Sequence, residues 1–314
     1  MQTTQQSILS IQAALVGTAL EGTAVSERWT RSSPDSVIVV DLPSTCVLEG
    51  WEALYSLTGT TKRYPLVGCS IDVEHLLDSP PSDSDLADGD YVKNIISQAR
   101  EIDGQSELAT GGSMQCFSPT VTSDLFGCLD RPIDQYGHVL ASTQRRFGSC
   151  PSAAEIRALQ SSGVLNTDAD LERWLLNWEL QHFGDQAINP ETVNYLKWPG
   201  FVEDTQYVAV LPPTPHSWEA FAYMYWYGAE EQAAEKSAAL RSFHERYEAH
   251  LVCAFSTTLQ LKVGRRPANL DEAFDLAIEQ AHFASDATSL CGISLREHAR
   301  ALYSLDQWFF LAKP

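Results

Sequence analysis

The sequence predicts an α+β protein: a mixed or antiparallel sheet with flanking helices and a largely helical inserted or flanking subdomain. Three observations lead there. Short runs rich in β-branched residues, such as Ser36 to Asp41, occur in the N-terminal part and recur after residue 207. Helix start signals followed by apolar positions at three- and four-residue spacing fill the stretch after residue 150. The chain then closes in the order helix, hairpin, helix, helix, strand.

Taken in order, Ile8, Ile11, Leu15 and Ala19 have helical spacing and predict a helix over 7–20. A strand over 36–41 follows. Trp51, Leu54 and Tyr55 share one face of a short helix over 51–57 that Thr58 and Gly59 end, and 64–68 is a second strand. Residues 72–90 hold seven acids with Pro80 and Pro81 between them, an acidic loop, and a helix is expected over 91–101. From 104 to 150 recurrent glycine and proline predict irregular structure with short strands. Ser152 with Glu155 and Thr167 with Asp170 are paired start signals. The second opens a helix with a Leu171, Trp174, Leu175, Trp178 stripe, expected to face the core. Asn189 and Pro190 open a further short helix. A strand over 207–211, a helix over 230–250, a hairpin of 251–255 with 258–263, helices over 270–283 and 295–303, and a strand over 307–311 complete the reading. Phe243, Leu259, Leu261 and Trp308 are expected in the core. Three segments result: 1–103, an N-terminal α/β segment packing with the C-terminal domain; 104–206, an irregular then helical insert; and 207–314, an α+β domain.

The chain has 314 residues, 44% hydrophobic and 20% charged, which supplies a substantial core. Acids outnumber bases 41 to 21, a formal charge of −20. A basic surface for nucleic acid is thereby excluded as the governing feature, and attraction to anionic membrane is disfavoured. The seven cysteines form no CxxC pair and read as reduced thiols. The apolar stretch from Ile8 to Leu20 follows no Lys or Arg and is too short to span a bilayer. The expected location is the cytoplasm.

No catalytic signature stands out. Gly59 to Lys62 lacks the spacing of a phosphate loop, Gly68 to Ile71 lacks the last glycine of a nucleophile elbow, and Asp83 to Asp90 places neither the glycine nor the final glutamate of a calcium loop. His244 and His250 are six apart and do not stack on a helix face, while Cys116, Cys128, His138 and Cys150 contain no close ligand pair. No metal and no cofactor are expected. The densest unusual segment is Trp218 to Gly228, with six aromatics in eleven positions.

One resemblance adds to this. Leu211 to Glu219, Tyr223 with Trp226 to Ala229, Phe243 to Tyr247, Thr257 to Val263, Arg266 to Phe274, Ser294 to Leu302 and Trp308 to Phe310 resemble the bacterial domain of unknown function 4253 family, over roughly a third of the chain. This chain departs from the family at Tyr227 to Gln232, where many members carry Gly-Trp-Asn-x-Cys-Pro, and at Ala284 to Asp286, where many carry Cys-Pro-Asp. The resemblance implies no activity. It implies genes that stand alone or among bacterial toxin and immunity genes. The expected function is therefore a cytoplasmic binding protein that neutralises a partner toxin, as an immunity protein does. Asp83, Asp85, Asp88 and Asp90 would guide a basic protein partner, and Tyr223, Tyr225 and Trp226 would anchor it. The alternatives are an enzyme of unrecognised type, using Glu219, His298 or Asp286 in a pocket beside Trp218 to Gly228, and a non-catalytic adaptor, chaperone or structural subunit.

Overall fold

The computed structural model describes residues 2–18, 20–28, 36–43, 46–68, 91–110, 136–196, 205–224, 226, 232–255, 257–284 and 292–312. Contacts divide the chain into two compact units. The first comprises Met1–Cys116, Leu196–Arg265 and Gln307–Pro314; the second comprises Phe117–Tyr195 and Arg266–Asp306. The fold is α+β with a mixed sheet, as the sequence predicts. By these contacts 207–265 groups with the N-terminal part of the chain and 266–306 with 117–195.

The first unit is built on a seven-stranded sheet. Its strands are β1 (Val25–Arg28), β2 (Val37–Pro43), β3 (Arg63–Gly68), β4 (Thr205–Pro213), β5 (Ala249–Phe255), β6 (Thr258–Val263) and β7 (Gln307–Leu311), in the order β1-β2-β4-β3-β5-β6-β7. Neighbours are antiparallel except β3 and β5, which run parallel with Val67 opposite Cys253. Pro65 sits in a central strand although it has no N–H to give, and the register shifts at that point, where a bulge tolerates proline. Its carbonyl accepts from Trp51 Nε1 at 3.0 Å.

The helices, in chain order, are α1 (Gln2–Leu15), α2 (Val47–Tyr55), α3 (Thr58–Thr61), α4 (Tyr91–Glu101), α5 (Gly104–Thr110), α6 (Gly137–Phe147), α7 (Ala153–Ser161), α8 (Asp168–Phe183), α9 (Ser217–Ala220), α10 (Ala233–Tyr247), α11 (Leu270–Phe283) and α12 (Leu295–Ser304). The first helix ends earlier than its apolar spacing predicts, because Gly17 takes a left-handed φ of 79° and Thr18 Oγ1 donates to the Leu15 carbonyl. In the sheet unit α2, α9 and α10 pack on the strands, and α4 and α5 pack on α10. The Phe243 ring stacks on Phe310 at 6.0 Å and meets Trp308 edge-on at 5.4 Å; with Leu259 and Leu261 all are buried. The stretch expected to be irregular is helical where it is described, as α5 and α6. Asp103 Oδ1 accepts from the amides of Gln105 and Ser106 and starts α5, and Gly148, at φ 78°, ends α6. Glycine is required at position 104. A Cβ there would lie 2.1 Å from the Ala238 carbonyl oxygen of α10.

The second unit is helical. Thr167 and Asp170 form a full capping box on α8, and Ser152, Asn269 and Ser294 each accept from the amide three residues on. Leu140, Ile156, Leu165, Leu171 and Leu175 form its apolar cluster. The Leu171 stripe is corrected in one respect: Trp174 and Trp178 are only half-buried, and the buried face of α8 is Leu171, Glu172, Leu175, Leu176 and Glu179. The helix expected from Asn189 begins instead at Asn194 as a short 3-10 turn. Among the described residues no helix is long and apolar enough to cross a membrane.

Candidate functional site

The buried face of α8 contains two carboxylates, and two arginines of α12 answer them. Glu172 and Glu179 are seven residues apart, and Arg296 and Arg300 are four apart, so each pair lies along one helix face. Arg296 Nη1 meets Glu172 Oε1 at 2.5 Å, and its Nε lies 3.2 Å from Glu179 Oε1. Arg300 Nη2 pairs with Glu179 Oε2, and its Nε donates to the Ala187 carbonyl at 2.5 Å. These side chains retain 8% exposure or less. From α6, Thr143 Oγ1 donates to Glu179 at 2.7 Å, while Arg296 Nη2 donates to Ser142 Oγ at 2.5 Å. Burial works against both guanidinium charges. For Arg296 the carboxylates of Glu172 and Glu179 outweigh it and raise the pKa, whereas Arg300 is lowered by burial despite Glu179.

Glu297 is the second hub. Ser294 accepts from its amide, as a capping box requires, but the carboxylate does not turn back to complete the box. It accepts from Arg146 Nη1 at 2.7 Å, from Arg300 Nη1 at 3.3 Å, from the Thr192 amide at 2.8 Å and from the Glu191 amide. These bonds tie the segment after Pro190, where the helix predicted from Asn189 is not formed, to α12. The charged groups border a cavity of about 290 Å³ whose wall also includes His138, Val139, Arg145, Glu191, Thr192 and the Gly292 to Ser294 turn.

Behind α12, His298 is fully buried. Gln280 Oε1 lies 3.0 Å from its Nε2 and the Tyr195 hydroxyl 2.8 Å from its Nδ1. The amide oxygen only accepts, so Nε2 carries the proton and Nδ1 accepts from the tyrosine. Burial lowers the ring's pKa from 6.5 to about 4, which leaves it neutral near pH 7.

The residues singled out from the sequence fall elsewhere. Asp83, Asp85, Asp88, Asp90 and Tyr225 lie outside the described residues, as does Asp286. Tyr223 is half-buried at the end of a 3-10 turn. Trp226 is corrected: it is 2% exposed, meets Phe221 edge-on at 6.1 Å and has the Lys236 ammonium 5.9 Å from its ring centre, so it packs the interior and offers no face to a partner. Trp218 and Phe221 are buried too, and Glu219 is paired with Arg100 at 2.7 Å in the sheet unit. In that unit His250 packs 4.9 Å from His244 and bonds the Tyr55 hydroxyl at 3.2 Å. Burial first, then His244 and Lys262, lower its pKa to about 4. Among the described residues no group of three or more His, Cys, Asp or Glu side chains is arranged to hold a metal ion. The ionic cluster was missed by sequence reasoning. Its one visible signal was charged residues at core-facing positions of capped helices: 172 and 179 beside leucines, and 296 and 300 on α12.

Fold and site thus define an α+β protein with a mixed seven-stranded sheet in one unit and an ion-lined cavity in the other. Residues 208–311 match the family model described as "Domain of unknown function (DUF4253)". The match supplies α12, with Arg296, Glu297 and Arg300, but not their partners Glu172, Glu179 and Arg146. No curated protein and no solved structure matches the chain.

Proposed function

We propose that this chain is a non-catalytic binding protein that takes a basic protein partner in the cytoplasm, in the manner of an immunity protein that neutralises a toxin. The observation that carries the reading is the charge of −20, which accelerates encounter with a basic surface such as a nuclease cleft. The state of the polar groups favours recognition over catalysis. General acid–base chemistry needs a proton-exchanging group facing the reacting molecule. Glu172, Glu179, Glu219 and Glu297 are each held by guanidinium groups, and His298 is buried and neutral. In this reading Asp83, Asp85, Asp88 and Asp90 steer the partner and Tyr223 and Tyr225 contact it.

The test is cross-linking of the tagged chain in its native host, followed by mass spectrometry at low and high salt. One basic protein should be enriched at low salt, and enrichment should fall at high salt and in the variant carrying Asp83→Ser, Asp85→Ser, Asp88→Ser and Asp90→Ser. The reading fails if no basic protein is enriched, or if neither salt nor the variant changes its capture.

A further inference from the structure

We propose that the cavity of the helical unit is a binding site for a small zwitterion of amino-acid type, one anionic group and one cationic group on a short frame. The first argument is how the wall is made. Four of its charged side chains, Glu172, Glu179, Arg296 and Arg300, are themselves more than nine-tenths buried. Burying ions costs several kcal/mol each before pairing, and apolar replacements of the same volume commonly serve stability as well or better. Buried ions that border a solvent-reachable cavity are the arrangement expected of a recognition site, where few polar groups fix a ligand's orientation.

The second argument fixes the ligand's charge. Eight charged residues line the cavity, four arginines and four glutamates. Six are spent on one another: Glu172 on Arg296, Glu179 on Arg296 and Arg300, and Glu297 on Arg146 and Arg300. The two that remain, Arg145 and Glu191, are exposed, and their side chains make no ion pair or hydrogen bond among the described residues. They are of opposite sign. The backbone amides at 191 and 192, which would otherwise receive an oxyanion, are already taken by Glu297. A nucleotide or other polyanion would meet one free cation and one free carboxylate, so its charge would go largely unmatched. A zwitterion matches both: its anionic group to the planar fork of Arg145, its ammonium to the Glu191 carboxylate. The volume of about 290 Å³ suits a molecule of that size.

The site uses none of the residues proposed to meet a protein partner, and its test uses the isolated full chain with no partner present. Glycine, L-serine, L-glutamate and L-lysine are titrated calorimetrically, with acetate and methylammonium as single-charge probes. At least one amino acid should bind saturably at one per chain, and acetate and methylammonium should each bind at least about tenfold more weakly. Arg145→Gln and Glu191→Gln should each weaken the amino acid by about tenfold with the melting temperature unchanged, since both side chains are exposed. The proposal is overturned if no amino acid binds saturably, if acetate binds as tightly as the amino acids, or if Glu191→Gln binds like the unaltered chain.

Discussion

In the sheet unit the interior is ring against ring: Phe243 lies between Phe310 and Trp308, with Tyr247 edge-on to the same tryptophan at 5.5 Å. In the helical unit the equally buried Glu179 sits among Arg296, Arg300 and Thr143. The first interior gains from every apolar contact and tolerates gradual change. The second stays neutral only while all its partners are present, so losing one leaves a bare charge in a poor solvent for it. Similar burial therefore carries opposite vulnerabilities.

The sharpest way to break this contrast is Glu179→Gln. It removes the charge facing both Arg296 and Arg300 and should destabilise the chain by about 3–5 kcal/mol in denaturant unfolding. Replacing the cluster together, with Glu172→Leu, Glu179→Leu, Arg296→Met and Arg300→Met, should cost less than that single change. A single change that costs under about 1 kcal/mol would place the network at the surface in effect.

Acid should act on both units next. The folded ring of His298 titrates near 4 and the unfolded ring near 6.5, so the unfolded chain binds the proton first as pH falls. The stability that depends on the neutral ring is fully present above about pH 6.5 and is lost between there and about pH 4, roughly 3 kcal/mol in all. His250 shifts in the same direction in the sheet unit. Unfolding midpoints of His298→Gln and His250→Gln at pH 7, 5.5 and 4.5 should each show part of this slope removed. A slope unchanged in both variants would contradict the placement of these rings.

The smallest expected effect belongs to the apolar side of the comparison. Gly104→Ala forces α5 away from the Ala238 carbonyl of α10, an overpacking cost of about 1–3 kcal/mol read in a thermal melt. A variant as stable as the parent would mean the two helices separate freely.

How far each interior could be read in advance follows from the same contrast. Strand β2 announces itself through a β-branched run, and α4 and α11 have the predicted bounds of 91–101 and 270–283. Those signals are local. The ionic cluster is not: Arg296 and Glu172 are 124 positions apart, Arg300 and Glu179 121, and no spacing rule pairs residues over that distance. Reading α8 by its tryptophans put the largest apolar groups inside, whereas the face that pairs with α12 took the glutamates and left Trp174 and Trp178 half out. Helix α5 lies in the stretch expected to be irregular, and the lack of a side chain at Gly104 is what allows it to touch α10. The aromatic segment had the composition of a contact surface, yet Trp218, Phe221 and Trp226 turn inward.

A double-mutant cycle on Glu179 and Arg300 tests the central claim, that the helical unit is organised around mutually dependent buried ions. Unfolding free energies are measured for the unaltered chain, Glu179→Gln, Arg300→Met and the pair. The account predicts two costly single changes and a double change well below their sum, a coupling of about 2 kcal/mol or more. Additivity within about 0.5 kcal/mol would contradict it, because independent sites behave in that way.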